Sequence, residues 1–82
     1  MKLPLYDYVA LRRDVPEHAL KKGDVATLID YVPHPEDGEE GCVLEVFNAV
    51  GESIAVVILP ESDVESLSAD EILAVRPLTK AG

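Results

Sequence analysis

The sequence predicts an all-β domain, a small barrel of about five short antiparallel strands with one or two short helical turns before the last strand. Three observations carry this reading. Leu20 to Val32 couples a Gly23-Asp24 turn to a β-type run, Val25 to Val32, that holds a single charge. Ile54 to Leu59 is apolar at every position. The stretches between such runs are rich in Pro, Gly and acids, a composition that no regular element tolerates. At 82 residues the chain has room for one domain, 1–82, and a chain of this size buries only about 60% of its unfolded surface.

Each element follows in order. Tyr8 to Arg12 carries Val9 and Leu11 on one face and serves as a first strand. Asp14 to His18 breaks it, because Pro16 cannot donate a ladder hydrogen bond and restricts Val15. Leu20 is expected to tuck beneath that loop. Gly23 supplies the positive φ of a tight turn and Asp24 bonds nearby backbone, which marks the entrance to the second strand, Val25 to Val32. Strict alternation there leaves Leu28 and Val32 poorly placed, so a bend or bulge inside the strand is expected. Pro33 to Gly41 is the exposed tip of a long hairpin. Cys42 to Asn48 resumes β character, with Leu44 and Val46 opposed to Glu45, and Gly51 takes the tight position of the next turn.

Ile54 to Leu59 is apolar on both faces, more than an antiparallel strand with one wet face requires. The N-terminal segment, the C-terminal tail or another chain is therefore expected to cover the second face, and the run predicts self-association in its own right. Ser68 with Glu71 has capping-box spacing. Ile72 to Arg76 is expected to be the last short strand, ended by Pro77, with a frayed tail after it.

Seven Lys and Arg stand against sixteen Asp and Glu, for a net charge of −9. A field of that sign repels phosphate backbones and speaks against direct nucleic-acid binding. The same field suits solubility and a protein partner more basic than this chain. Cys42 is the one cysteine, so no intramolecular disulfide forms. No apolar run is long enough to span a bilayer, and the N-terminus lacks the pattern of a signal peptide. A cytoplasmic protein is the expectation.

No Gly-x-Ser-x-Gly, Gly-x-x-x-x-Gly-Lys or His-Glu-x-x-His motif is present. A thiol dyad of Cys42 with His18 or His34 is disfavoured, because a cysteine inside an apolar strand holds its proton. His34 with Glu36, Asp37, Glu39 and Glu40 is the densest set of potential metal ligands, but it matches neither a structural zinc site nor a calcium loop. No catalytic, cofactor or metal site is therefore assigned. Tyr6, Tyr8 and Tyr31 are read as core or rim packing. Acidic charge steers a basic partner without exact geometry. The residues assigned to partner binding are accordingly Tyr31, His34, Glu36, Asp37, Glu39, Glu40 and, on the apolar strand, Val57.

Taken together, Asp14 to Ile29, Ile54 to Leu59 and Val75-Arg76-Pro77-Leu78 resemble a bacterial family of unknown function, family 4926. The stretch Asp14 to Ile29 is also similar to the SH3-like barrel of the nitrile hydratase β subunit and, more loosely, to a KOW strand. The resemblance implies an SH3-like barrel with no established catalytic residues. It also implies a gene neighbour of the kind found in toxin–antitoxin pairs. The chain departs from the family pattern at Ala19 and Ala26, where glycine is expected, and Ala26 shows that its position does not require positive φ. Two functions follow: a small acidic module that neutralises a basic partner in the manner of an antitoxin, or an accessory or assembly domain for an enzyme. Neither makes the chain an enzyme.

Overall fold

Val25–Val32 forms the long central strand, and the rest of the sheet is laid on its two sides. The computed structural model describes residues 3–34, 36 and 38–78. Its strands are β1 (Tyr8–Leu11), β2 (Val25–Val32), β3 (Gly41–Phe47), β4 (Ser53–Pro60) and β5 (Val64–Ser66), with short 3-10 turns at Pro16–His18 and Glu61–Asp63. All pairs are antiparallel and the order across the sheet is β4-β3-β2-β1-β5. The all-β, five-strand class is thus the one found, and the second 3-10 turn falls before the last strand as expected.

The sheet must roll. β4 and β5 lie on opposite edges, four strand spacings apart, which is about 19 Å in a flat sheet. Yet only Glu61–Asp63 joins them, and from Pro60 to Val64 an extended chain reaches at most about 14 Å. A 3-10 turn covers less still, at about 2 Å per residue. The link therefore pulls the two edges toward each other and encloses a core of Val9, Leu11, Leu28, Cys42, Leu44 and Val57 with their neighbours.

Two register shifts set which side chains face that core. In β2, Leu28 stands opposite Leu44, but Asp30 stands opposite Val43, so Ile29 is the extra residue of a bulge. Ala26 and Leu28 are buried before it, and after it the inner face passes to Tyr31, which packs against the core opposite buried Cys42. The expected bend is present, although Val32 emerges on the outside and stays exposed. A second shift between Val46 and Phe47 leads into the β3–β4 turn. Gly51 there has φ +86° and donates its N–H to the Asn48 carbonyl at 3.0 Å.

The turn before β2 is built as its residues suggest. Gly23 has φ +92° and donates to the Leu11 carbonyl, while the Asp24 carboxylate accepts the Lys21 N–H at 2.8 Å. Leu20 is buried under the preceding loop, bridged to Val15. Ala19 closes the first 3-10 turn in the left-handed region, at φ +58°. The glycine expected there would relieve that strain, whereas Ala26 lies in a regular strand.

The last strand differs from the expectation. Val64–Ser66 pairs with β1, and Ile72 to Arg76 forms no strand. The free edge of β1 at Val9 to Leu11 is taken first by the residues that leave the 61–63 turn, since the shortest connection costs the least chain entropy. Ser68 and Glu71 make only half of a capping box: the Ser68 N–H donates to the Glu71 carboxylate, but the Glu71 N–H goes to the Ser68 backbone carbonyl of an isolated turn, and the Ser68 hydroxyl donates to Asp70 and Glu71.

Candidate functional site

The structure concentrates acids at one corner. The β2–β3 hairpin tip places His34, Glu36 and Glu39 in solvent with Glu40 half-buried; Asp37 lies outside the described residues. The His34 ring is fixed, its Nδ1 accepting the Glu36 N–H at 3.0 Å. The 3-10 turn after β4 docks against this tip: Glu61 donates its N–H to the Glu40 carbonyl at 3.0 Å, and Ser62 Oγ donates to Glu39 Oε1 at 2.6 Å. Glu61 therefore joins Glu39 and Glu40, a neighbour that the sequence could not reveal from twenty positions away.

Cys42 records the field of that corner. It is fully buried, and its thiol is pushed up to about 11, first by burial and then by the charges of Glu61, Glu40 and Glu39. At neutral pH it stays protonated and is a poor nucleophile. Among the described residues, no three His, Cys, Asp or Glu side chains come together to hold a metal ion.

Sequence reasoning chose the wrong side chain on the apolar strand. Val57 stands opposite Leu44 and is 3% exposed, so it faces the core and offers nothing to a partner. The outward residues of β4 are Ile54, Val56 and Ile58, the last two 54% and 61% exposed. Alternation had left both faces apolar and gave no means of ranking them; only the register with β3 does. Neither the N-terminal segment nor the tail, over their described residues, takes Val56 and Ile58 out of solvent. Tyr6 and Tyr8 are likewise exposed instead of packed. Tyr31 is half-buried, and its hydroxyl donates to the Leu3 carbonyl at 2.7 Å, which ties the N-terminal segment to β2.

The tail is held by one side chain. Arg76 donates through Nε to Asp24 Oδ1 at 2.9 Å and through Nη2 to Asp24 Oδ2 at 2.5 Å, and Nη2 also reaches the Ala19 carbonyl at 3.0 Å. Burial pushes the Asp24 carboxyl up, but the Arg76 fork and the Lys21 N–H outweigh it and hold the group below the usual aspartate range. Around this clasp, Leu73 to Arg76 form one wall of a surface groove whose other wall is the β3–β4 turn. Asp24 is the acid of that groove, and it is already paired. Arg13 is similarly committed to Asp63. With two arginines engaged by acids, the exposed charge is more one-sided than the residue count suggests.

A family model described as a domain of unknown function, DUF4926, matches residues 5–66. The chain belongs to the DUF4926 family. The match ends at Ser66, the last residue of β5, so the family unit is the rolled sheet itself. Val75 to Leu78, part of the resemblance in the sequence, lie beyond it, in the segment that Arg76 clasps to the sheet. Comparisons with curated proteins and with solved structures gave no match. Among the described residues, no helix is long and apolar enough to cross a membrane.

Proposed function

We propose that this DUF4926 domain is a small acidic protein-binding module, without catalysis of its own, that neutralises a more basic partner protein in the manner of an antitoxin. The observation that supports it best is the acidic corner where Glu39 and Glu40 meet Glu61, with exposed Glu36 on the same hairpin tip. Asp24 and Asp63, by contrast, are each paired with an arginine. A dense, outward set of one sign accelerates encounter with an oppositely charged surface and disfavours acidic competitors.

The test is capture from the native host with the untagged protein, followed by association kinetics with whatever basic protein is recovered. Changing Glu36, Glu39, Glu40 and Glu61 together to Gln should lower the association rate about tenfold at low salt and leave dissociation nearly unchanged. Raising the salt should erase the difference between the two proteins. Equal association rates at low salt would dismiss the corner as the contact surface.

A further inference from the structure

We propose that β4 is where two copies of this chain pair, edge to edge and antiparallel about a two-fold axis through Val56, so that one sheet runs continuously through a dimer. Among the described residues β4 is hydrogen-bonded along one side only, to β3, and its other side ends the sheet. A bulge at Ile54 interrupts its pairing with β3, but from Ser53 to Leu59 it carries no charged side chain and no proline to block a further strand. The opposite edge is protected by contrast: β5 has three residues and includes exposed Glu65.

The side-chain pattern selects a second copy as the occupant. The outward residues of β4 are Ile54, Val56 and Ile58, which read the same in both directions about Val56. In an antiparallel pair, directly opposed residues share a face. A two-fold at Val56 therefore sets Ile54 against Ile58 of the second copy, and Val56 against its own equivalent. The contact is self-complementary, as a two-fold interface must be. It joins the exposed isoleucine and valine surface of each copy into one strip across the seam.

Charge opposes the pairing, and salt relieves it. Two chains of net charge −9 repel each other over most approaches. About this two-fold Glu52 of one copy falls opposite Pro60 of the other, beside its Glu61, so a pair of acids flanks each end of the seam; Glu45 stands farther off, opposite Val56 on β3. In the paired arrangement it lies three strand spacings, about 14 Å, from its equivalent. That exceeds the screening length of about 8 Å at physiological ionic strength. Like-charged copies should thus associate more tightly as salt rises. Binding of a basic protein at the acidic corner should do the opposite, so this inference stands or falls apart from the proposed function.

Sedimentation of the full chain at 5 to 200 μM, in low and high salt, reads the association directly. The expected result is a monomer–dimer equilibrium that tightens with salt and is weakened at least tenfold by V56K, with circular dichroism unchanged. The seam is read by cysteine cross-linking with a mild thiol oxidant, Cys42 being buried. V56C should form a disulfide dimer quickly, because its two copies face each other. I54C should not, since its equivalents lie about 14 Å apart and a disulfide needs Cα atoms within about 7 Å. A monomer at 200 μM in high salt overturns the proposal, and so does I54C cross-linking as fast as V56C.

Discussion

Replacing Val57 with lysine should unfold this protein, and replacing its neighbour Ile58 should not. Val57 lies mid-strand in β4 opposite Leu44, which is fully buried. Its removal from the core forfeits about 2 kcal/mol of burial. The lysine that replaces it must also sit there uncharged. Deprotonation at pH 7 from an ordinary pKa of about 10.4 costs roughly 4.6 kcal/mol at 1.36 kcal/mol per pH unit. The sum, roughly 6 to 7 kcal/mol, is comparable with the whole stability of a domain of this length, about 4 to 12 kcal/mol. Ile58 is 61% exposed, and the stem of a lysine there would still lie over Gly41, which the isoleucine now covers. I58K should cost less than about 1 kcal/mol. Urea titrations followed by circular dichroism near 218 nm, at low micromolar protein so that self-association does not contribute, measure both. A V57K midpoint close to that of the parent, or an I58K loss as large as that of V57K, would refute the register assigned to β4.

Ala19, held at φ +58°, should accept glycine with a gain of up to about 1 kcal/mol, while A26G in the buried part of β2 should lose about 1 kcal/mol or more; thermal melts compare the two. Asp24 is held below its ordinary range when folded, so its pairing stabilises the fold above about pH 4 and is lost as pH falls through the folded value. D24N should be less stable than the parent at neutral pH, and the difference should shrink on acidification, as urea midpoints from pH 7 to pH 3 will show. Cys42, raised to about 11 and buried, should resist a thiol reagent at pH 8 in the native protein and react at once in denaturant. If Cys42 labels quickly without denaturant, the core is more open than this structure allows.

Much of the fold was legible because it is written in local rules. The limits of β2, its bend, the Gly23 and Gly51 turns and the burial of Leu44 and Val46 all follow from residue type and period. What was not legible depends on partners far away in the chain. Val57 and Ile58 are equally apolar, and only pairing with β3 decides which of them is inside. Ile72 to Val75 has better strand composition than Val64 to Ser66, yet the latter takes the edge of β1 because it arrives there first along the chain. The acidic tip was plain as a run of glutamates. Glu61 belongs to it through two hydrogen bonds between residues more than twenty positions apart. Arg76 likewise gave no signal beyond being a lone cation in an apolar stretch, and its clasp on Asp24 spans 52 positions.

The pairing of the first strand with the last makes folding during synthesis a matter of waiting. β2, β3 and β4 are sequential hairpins, and they are free to assemble once Pro60 has left the ribosome. β1 then has one partner, and its other side, at Val9 to Leu11, stays open until Val64 to Ser66 emerge. A nascent chain halted anywhere between these points presents two unprotected edges instead of one. Shortening the chain behind Ser66 should spare the sheet and remove the Arg76 clasp, whereas ending it before Val64 should leave a protein that aggregates.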